Sequence, residues 1–508
     1  MRRLPEAGYN HFMRRLLLGL WLLVLWLPAC RFITPNLGVS SIPTQTPTAQ
    51  LDYASPPSAE IGVPWLPEQD ALTSEDFTVR IHPDGGVYPG DLVSFEVIAP
   101  ASHEMKGRTA QIVIDAPADI VLEPQEFGWF GIGGRTQATF EWAWDTSGLP
   151  VGEYAATISI HPSGPTWTET ITLLSGTPQT GRWAVAESNC CMLYYISGTA
   201  AERDLLSLMA MADSQAEAAS RQMGVDFNGA VAIVFLPRVL GHGGFANKEI
   251  SISYLDRNYA GGSPEIVLHH EMIHILDREL GGEFRPSLFV EGLAVYMSGG
   301  HFKPEPLAQR AAALLELGWY LPLAPLAEHF YLAQHEIGYL EAGALVEYMI
   351  TRWGRADFER FYHQMRPIEG SPSQAEAINA ALLEHFQLTL AELENDFLRY
   401  LKQQPLDPFW VEDVRLTVRF YDTVRRYQQA LDPSAYYLAA WLPDGEQMRQ
   451  RGIVADYLRT PSAPENIAIE TLLVAADKQL ESGDFNGAER LLQIVNAALD
   501  AVESRALK

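Results

Sequence analysis

The amino-acid sequence predicts a multidomain chain: a β-sandwich, then an α+β domain, then an all-α C-terminal region. Three observations lead there. The 508 residues fill about three domains at roughly 100 to 200 residues each. Short β-rich runs separated by turn residues recur between about Phe77 and Leu174, whereas apolar residues at helical spacing dominate beyond Ser263. Hydrophobic residues make up 47% of the chain and charged residues 19%, the balance of a soluble protein with a sizeable core. Charge adds an exclusion. The 36 Lys and Arg stand against 63 Asp and Glu, a formal net charge of -27, and a surface of that sign repels phosphate backbones, so no nucleic-acid partner is expected.

Residues 1–30 read as an export signal. Arg2, Arg3, Arg14 and Arg15 precede an apolar run from Leu16 to Leu27, followed by Pro28, Ala29 and Cys30. As a helix that run rises roughly 18 Å, short of the ~30 Å hydrocarbon core, which argues against a permanent transmembrane anchor. The Leu-Pro-Ala-Cys ending resembles the bacterial lipobox. That resemblance implies a lipidated Cys30 as mature N-terminus and an extracytoplasmic chain anchored to the cell membrane; an ordinary signal peptide with a free Cys30 is the alternative. Residues 31–70, rich in Pro and Thr, are expected to be an extended tether.

Residues 71–178 carry the strand-like runs Thr78 to Ile81, Leu92 to Ile98, Ala110 to Ile114, Ala138 to Trp144, Tyr154 to Ile160 and Thr166 to Leu173. Their spacing predicts a β-sandwich. Turns such as Pro83-Asp84-Gly85-Gly86 resemble those of bacterial immunoglobulin-like surface domains, which implies a spacer more than a ligand binder. Within residues 179–405, Ala200 to Met223 reads as a helix and Ala230 to Leu236 and Ile250 to Leu255 as strands, a small sheet before the later helices. Residues 406–508 read as helical throughout. There Ala475 to Ala498 resembles one tetratricopeptide-like hairpin, with a plain helical appendage as the alternative.

The chemistry concentrates in His270-Glu271-Met272-Ile273-His274, an HExxH string. Ser263 at the cap, Pro264 at the first helical position, Glu265 in the first turn and Gly281 at the end predict one helix around it. On a helix, positions i and i+4 share a face, so both imidazoles converge on one Zn²⁺ while Glu271 points toward a water beside it. A catalytic zinc with three protein ligands needs one more from a second rigid element. Glu291, in the helical run Ser287 to Tyr296 opened by Pro286, is the candidate.

With that Glu-Gly-Leu-Ala run, the sequence resembles the Glu-zincin branch of zinc metallopeptidases, the peptidase MA-like group. The resemblance extends from about Trp183 to Leu401 and includes Tyr339 to Gly354 and Leu388 to Leu401 as later helices. It implies His270, His274 and Glu291 as ligands of one zinc per chain and Glu271 as general base in peptide hydrolysis. One position departs: many relatives carry Asp four residues after the ligand Glu, to hold a ligating histidine, and here Val295 stands there. Relatives often stabilise the oxyanion with Tyr or His from a downstream helix; Tyr339 is the candidate, with Tyr331, His335 and His301 as rivals and a purely core role as the alternative. The strand Ile250 to Leu255 is expected to be the edge on which an extended peptide substrate lies.

Other residues have plainer expectations. His269 points about 100° away from His270 on a helix and is expected to be structural. Cys190 and Cys191 are expected to be buried thiols or a vicinal disulfide. A second functional reading, from a different class, is a surface binding or scaffolding protein that keeps the peptidase fold without turnover. In a third, the C-terminal helices dock a protein partner.

Overall fold

The computed structural model describes residues 72–506, apart from 101–104, 131–134, 241–242, 302 and 436–444. The expected signal segment with Cys30 and the tether lie outside the described residues. Among those described, no helix is long and apolar enough to cross a membrane.

Nine strands come first: β1 (Thr78–His82), β2 (Leu92–Ile98), β3 (Thr109–Ile114), β4 (Ile120–Val121), β5 (Gln125–Glu126), β6 (Gly128–Phe130), β7 (Arg135–Asp145), β8 (Gly152–His161) and β9 (Thr166–Leu173). They form two antiparallel sheets, ordered β1-β2-β7-β6 and β4-β3-β8-β9 with β5 beside β3. Side chains alternate across each strand, so Tyr154, Ala156, Ile158 and Ile160 of β8 all reach the shared core around Phe95 and Trp144. The Tyr154 hydroxyl donates to the Pro150 carbonyl at 2.7 Å and pins the turn into β8.

A second sheet follows, made of β10 (Trp183–Glu187), β11 (Cys191–Ile196), β12 (Val231–Leu236), β13 (Gly244–Ala246) and β14 (Ile250–Ser253). Its order is β10-β11-β12-β14-β13, with β11, β12 and β14 parallel and the two outer strands antiparallel. This corrects one expectation. Ile250–Ser253 is paired on both sides, and the edge belongs to β13, a three-residue strand that a tight turn at Asn247 to Glu249 folds back onto β14. Between β11 and β12 run α1 (Ala200–Arg203) and α2 (Leu205–Met223). Cys190 and Cys191, at the start of β11, are joined as a disulfide.

Then come α3 (Pro264–Leu280), α4 (Ser287–Ser298), α5 (Leu307–Leu317), α6 (Leu323–Glu328), α7 (His335–Trp353), α8 (Arg355–His363), α9 (Gln374–Phe386) and α10 (Leu390–Lys402). One core runs from β11 and β12 through α2, α3, α4 and α7 to Val414 and Val418 of α11 (Pro408–Leu431). The chain ends with α12 (Gly445–Gln450), α13 (Ala455–Leu458), α14 (Pro464–Ser482) and α15 (Phe485–Ala506). The last two pair as a hairpin turned at Gly483 and pack on the other face of α11.

Candidate metal centre

Helix α3 opens with Ser263 at its N-cap, Pro264 in the first turn and Glu265 beside it, and Gly281 follows at positive φ. The Ser263 hydroxyl bonds the Glu265 carboxylate at 2.7 Å instead of a backbone amide. The helix is buried over Ile266 to Ile273. His269 lies on the flank toward α2, bonded to Gln215 and Gln222 at 2.9 Å each. Burial, and then the neighbouring His270, depress its pKa to about 4. Contacted by a glutamine side chain at each ring nitrogen, it joins two helices, the structural role expected for it.

His270 and His274 lie one turn apart with Nε2 atoms separated by 3.0 Å. The Gly281–Pro286 loop returns the chain so that α4 runs against α3 and brings Glu291 over them. Its Oε2 is 3.3 Å from His270 Nε2 and 3.2 Å from His274 Nε2. Three potential ligand atoms therefore face one point. Zinc bound tetrahedrally at about 2.0–2.1 Å separates its ligands by about 3.3 Å, so the observed triangle needs little adjustment to accept the ion. The donor set, two imidazoles and a carboxylate, also suits zinc. Burial opposes ionisation of Glu291, yet the His274 and His270 rings hold its carboxyl well below the usual range, so it is the anionic member.

Glu271 is buried next to this cluster. Burial pushes its carboxyl up to about 7, opposed by His270 and reinforced by the charge of Glu291. A carboxyl poised there can both accept and return a proton near neutrality. The residue above it was not singled out from sequence. Gly244 of β13 lies so close that a Cβ there would stand 2.8 Å from Glu271 Oε1 and 2.5 Å from Val267 Cγ1. The adjacent glycines Gly243 and Gly244, at the start of β13, were the available signal.

The surroundings of the two histidines differ from the expected pattern. Val295 is buried and packs against Gly343 of α7. The Nδ1 atoms of His270 and His274 are buried and have no hydrogen-bond partner among the described residues. The carboxylate, by contrast, is held. Tyr331, on the single turn Phe330–Leu332 before α7, donates its hydroxyl to Glu291 Oε1 at 2.7 Å. Loss of water around that hydroxyl, and next the Glu291 charge, raise its pKa, so it stays a donor.

Tyr339 is buried on α7 with its ring 6.3 Å from His270 and stacked on His301 at 4.2 Å. His301 lies 6.1 Å from His270, with Nδ1 3.3 Å from Glu336. His335 packs against both, 4.8 Å from His301 and 4.5 Å from Tyr339. The sequence candidate and its three rivals thus all gather near the cluster, and Tyr331 is joined to a candidate ligand residue by a hydrogen bond.

No protein-family model and no curated protein matches the chain. Solved structures similar to it include two zinc metallopeptidases. One is a two-domain M1 zinc metallopeptidase mutant bound to L-arginine, at 14% identity and a TM-score of 0.27 over 67% of this chain and 95% of that one. The other is an M1 zinc metallopeptidase mutant from Deinococcus radiodurans, at 15% identity and a TM-score of 0.27 over the same shares.

Proposed function

We propose that this chain is a zinc-dependent peptidase that cleaves peptide or protein substrates, with His270, His274 and Glu291 as metal ligands and Glu271 as general base and acid. The carrying observation is the convergence of Glu291 Oε2 and the two Nε2 atoms on one point beside a buried carboxyl raised to about 7. Zinc held there would supply Lewis acidity, acidifying water and polarising a carbonyl. Glu271 takes a proton from the attacking water and returns it to the leaving amine. The edge of β13, whose Gly244 adjoins Glu271, offers backbone groups to an extended peptide. Tyr339 is retained as the candidate donor to the developing oxyanion, supported by its place beside His270.

The N-terminal sequence supports lipid anchoring at Cys30 and action at the outer cell surface. Cys30→Ser is expected to move the chain from the membrane fraction to the soluble one.

The deciding experiment is elemental analysis of the purified protein with peptide-library cleavage by wild type and Glu271→Gln. One zinc per chain, with cleavage reduced about 10²- to 10⁴-fold in the variant, is the expected result. Zinc without wild-type cleavage would favour the binding-protein reading, and a chain that takes up no zinc would sink the ligand assignment.

A further inference from the structure

The part of a metal site that orders its ligands is commonly a hydrogen bond from each ligating histidine's other ring nitrogen to a carboxylate, carbonyl or water. In this chain those two nitrogens, Nδ1 of His270 and Nδ1 of His274, are buried with no partner among the described residues. The ordering contact that does exist is on the third ligand. Glu291 turns Oε2 toward the two Nε2 atoms, while Oε1 receives the Tyr331 hydroxyl at 2.7 Å. A free carboxylate can rotate and trade its oxygens. One held on Oε1 presents Oε2 in a fixed direction.

We propose that Tyr331 is the positioning residue of this metal centre, setting zinc affinity by fixing the Glu291 carboxylate. The inference rests on the zinc reading above and adds a role that the HExxH string does not carry. One further observation fits it. The tyrosine is 61% exposed as a residue and sits on a three-residue turn, so its ring contributes little to the core, while its hydroxyl reaches the buried Glu291 carboxylate. A hydroxyl engaged by Glu291 acts through that carboxylate and not on the reacting atoms. This separates Tyr331 from Tyr339, whose ring is buried on His301.

The test is zinc affinity of the full-length protein, stripped with a chelator and titrated with zinc against a competing fluorescent chelator, for wild type, Tyr331→Phe and Tyr339→Phe. Tyr331→Phe removes one oxygen and keeps the ring. It is expected to weaken zinc binding about 10- to 100-fold, with the melting temperature of the zinc-free protein unchanged. Tyr339→Phe is expected to bind zinc as wild type does. At saturating zinc, Tyr331→Phe should recover most of its kcat, since the lost contact orders the ligand and not the substrate. Equal zinc affinity in wild type and Tyr331→Phe would overturn the proposal, including the case in which kcat alone falls, which would make Tyr331 a transition-state donor. A wild type that binds no zinc would overturn the metal reading itself, so the two failures are distinguishable.

Discussion

Glu341, on α7, is a buried carboxyl with one oxygen accepting from the Leu321 amide at 3.0 Å and the other without a partner among the described residues. Burial raises its pKa well above the ordinary 4.5. The sign follows from linkage: a group that holds its proton more tightly when folded stabilises the fold fully below pH 4.5, and that contribution is lost as pH rises toward the folded pKa. Glu341→Gln keeps an acceptor for Leu321 and removes the charge. The variant is therefore expected to melt close to wild type near pH 4.5 and above it at pH 7 to 8, by on the order of 1–3 kcal/mol, the scale of a buried unsatisfied group. A gap in melting temperature that does not widen with pH would refute this. At this scale the sequence was uneven. His270, Glu271 and His274 were legible because i and i+4 share a helix face, a local rule. The bond from Tyr331 to Glu291 crosses forty positions and two elements, and no spacing rule encodes it.

At the scale of elements, the two helices that frame the site are held by close backbone approaches. A Cβ on Gly292 of α4 would stand 2.6 Å from the Ala342 carbonyl oxygen of α7, which is backbone and cannot swing aside. Gly292→Ala should therefore force α4 and α7 apart and destabilise the protein by about 1–3 kcal/mol, read as a fall in melting temperature even without zinc. At Gly244 the obstacles are the Val267 side chain and the tip of Glu271. Gly244→Ala is expected to leave zinc content intact and lower turnover about 10- to 100-fold by displacing the carboxyl proposed as general base; unchanged kcat would show that β13 does not constrain Glu271. The longer elements could be anticipated because their periodicity repeats over many residues. Helix α3 spans 17 residues with proline at its start and glycine at its end. β13 has three residues, too few to show a period, and its place at the edge is decided by pairing with β14.

Across the whole molecule, the C-terminal helices are joined to everything before them. Trp142 of the sandwich packs with Val234 and Leu236 of β12 and with Met448, Ile453 and Tyr457 of the C-terminal region, and Arg459 forms an ion pair with Asp91. Nearer the candidate metal centre, Asp413 of α11 pairs with Lys303 at 2.6 Å and Arg310 at 2.8 Å, and Arg310 pairs with Glu305 and, at 3.0 Å, with Glu336, the partner of His301. Arg310 and Asp413 are almost fully buried. Removing one partner from such a network leaves an uncompensated charge away from water, typically a loss of 3–5 kcal/mol. A detachable docking arm should come off without harm. These contacts predict the opposite: a chain ending at about Pro405 loses Asp413, exposes the α11 face that packs on α5 and α7, and should be recovered unfolded or aggregated. Asp413→Asn isolates the charge from the deletion. It is expected to lower the melting temperature by the equivalent of about 3 kcal/mol while the folded fraction still binds one zinc. A truncated chain with wild-type melting and turnover would show instead that the helical region is a separable module and that the Asp413 network holds nothing the α+β domain needs.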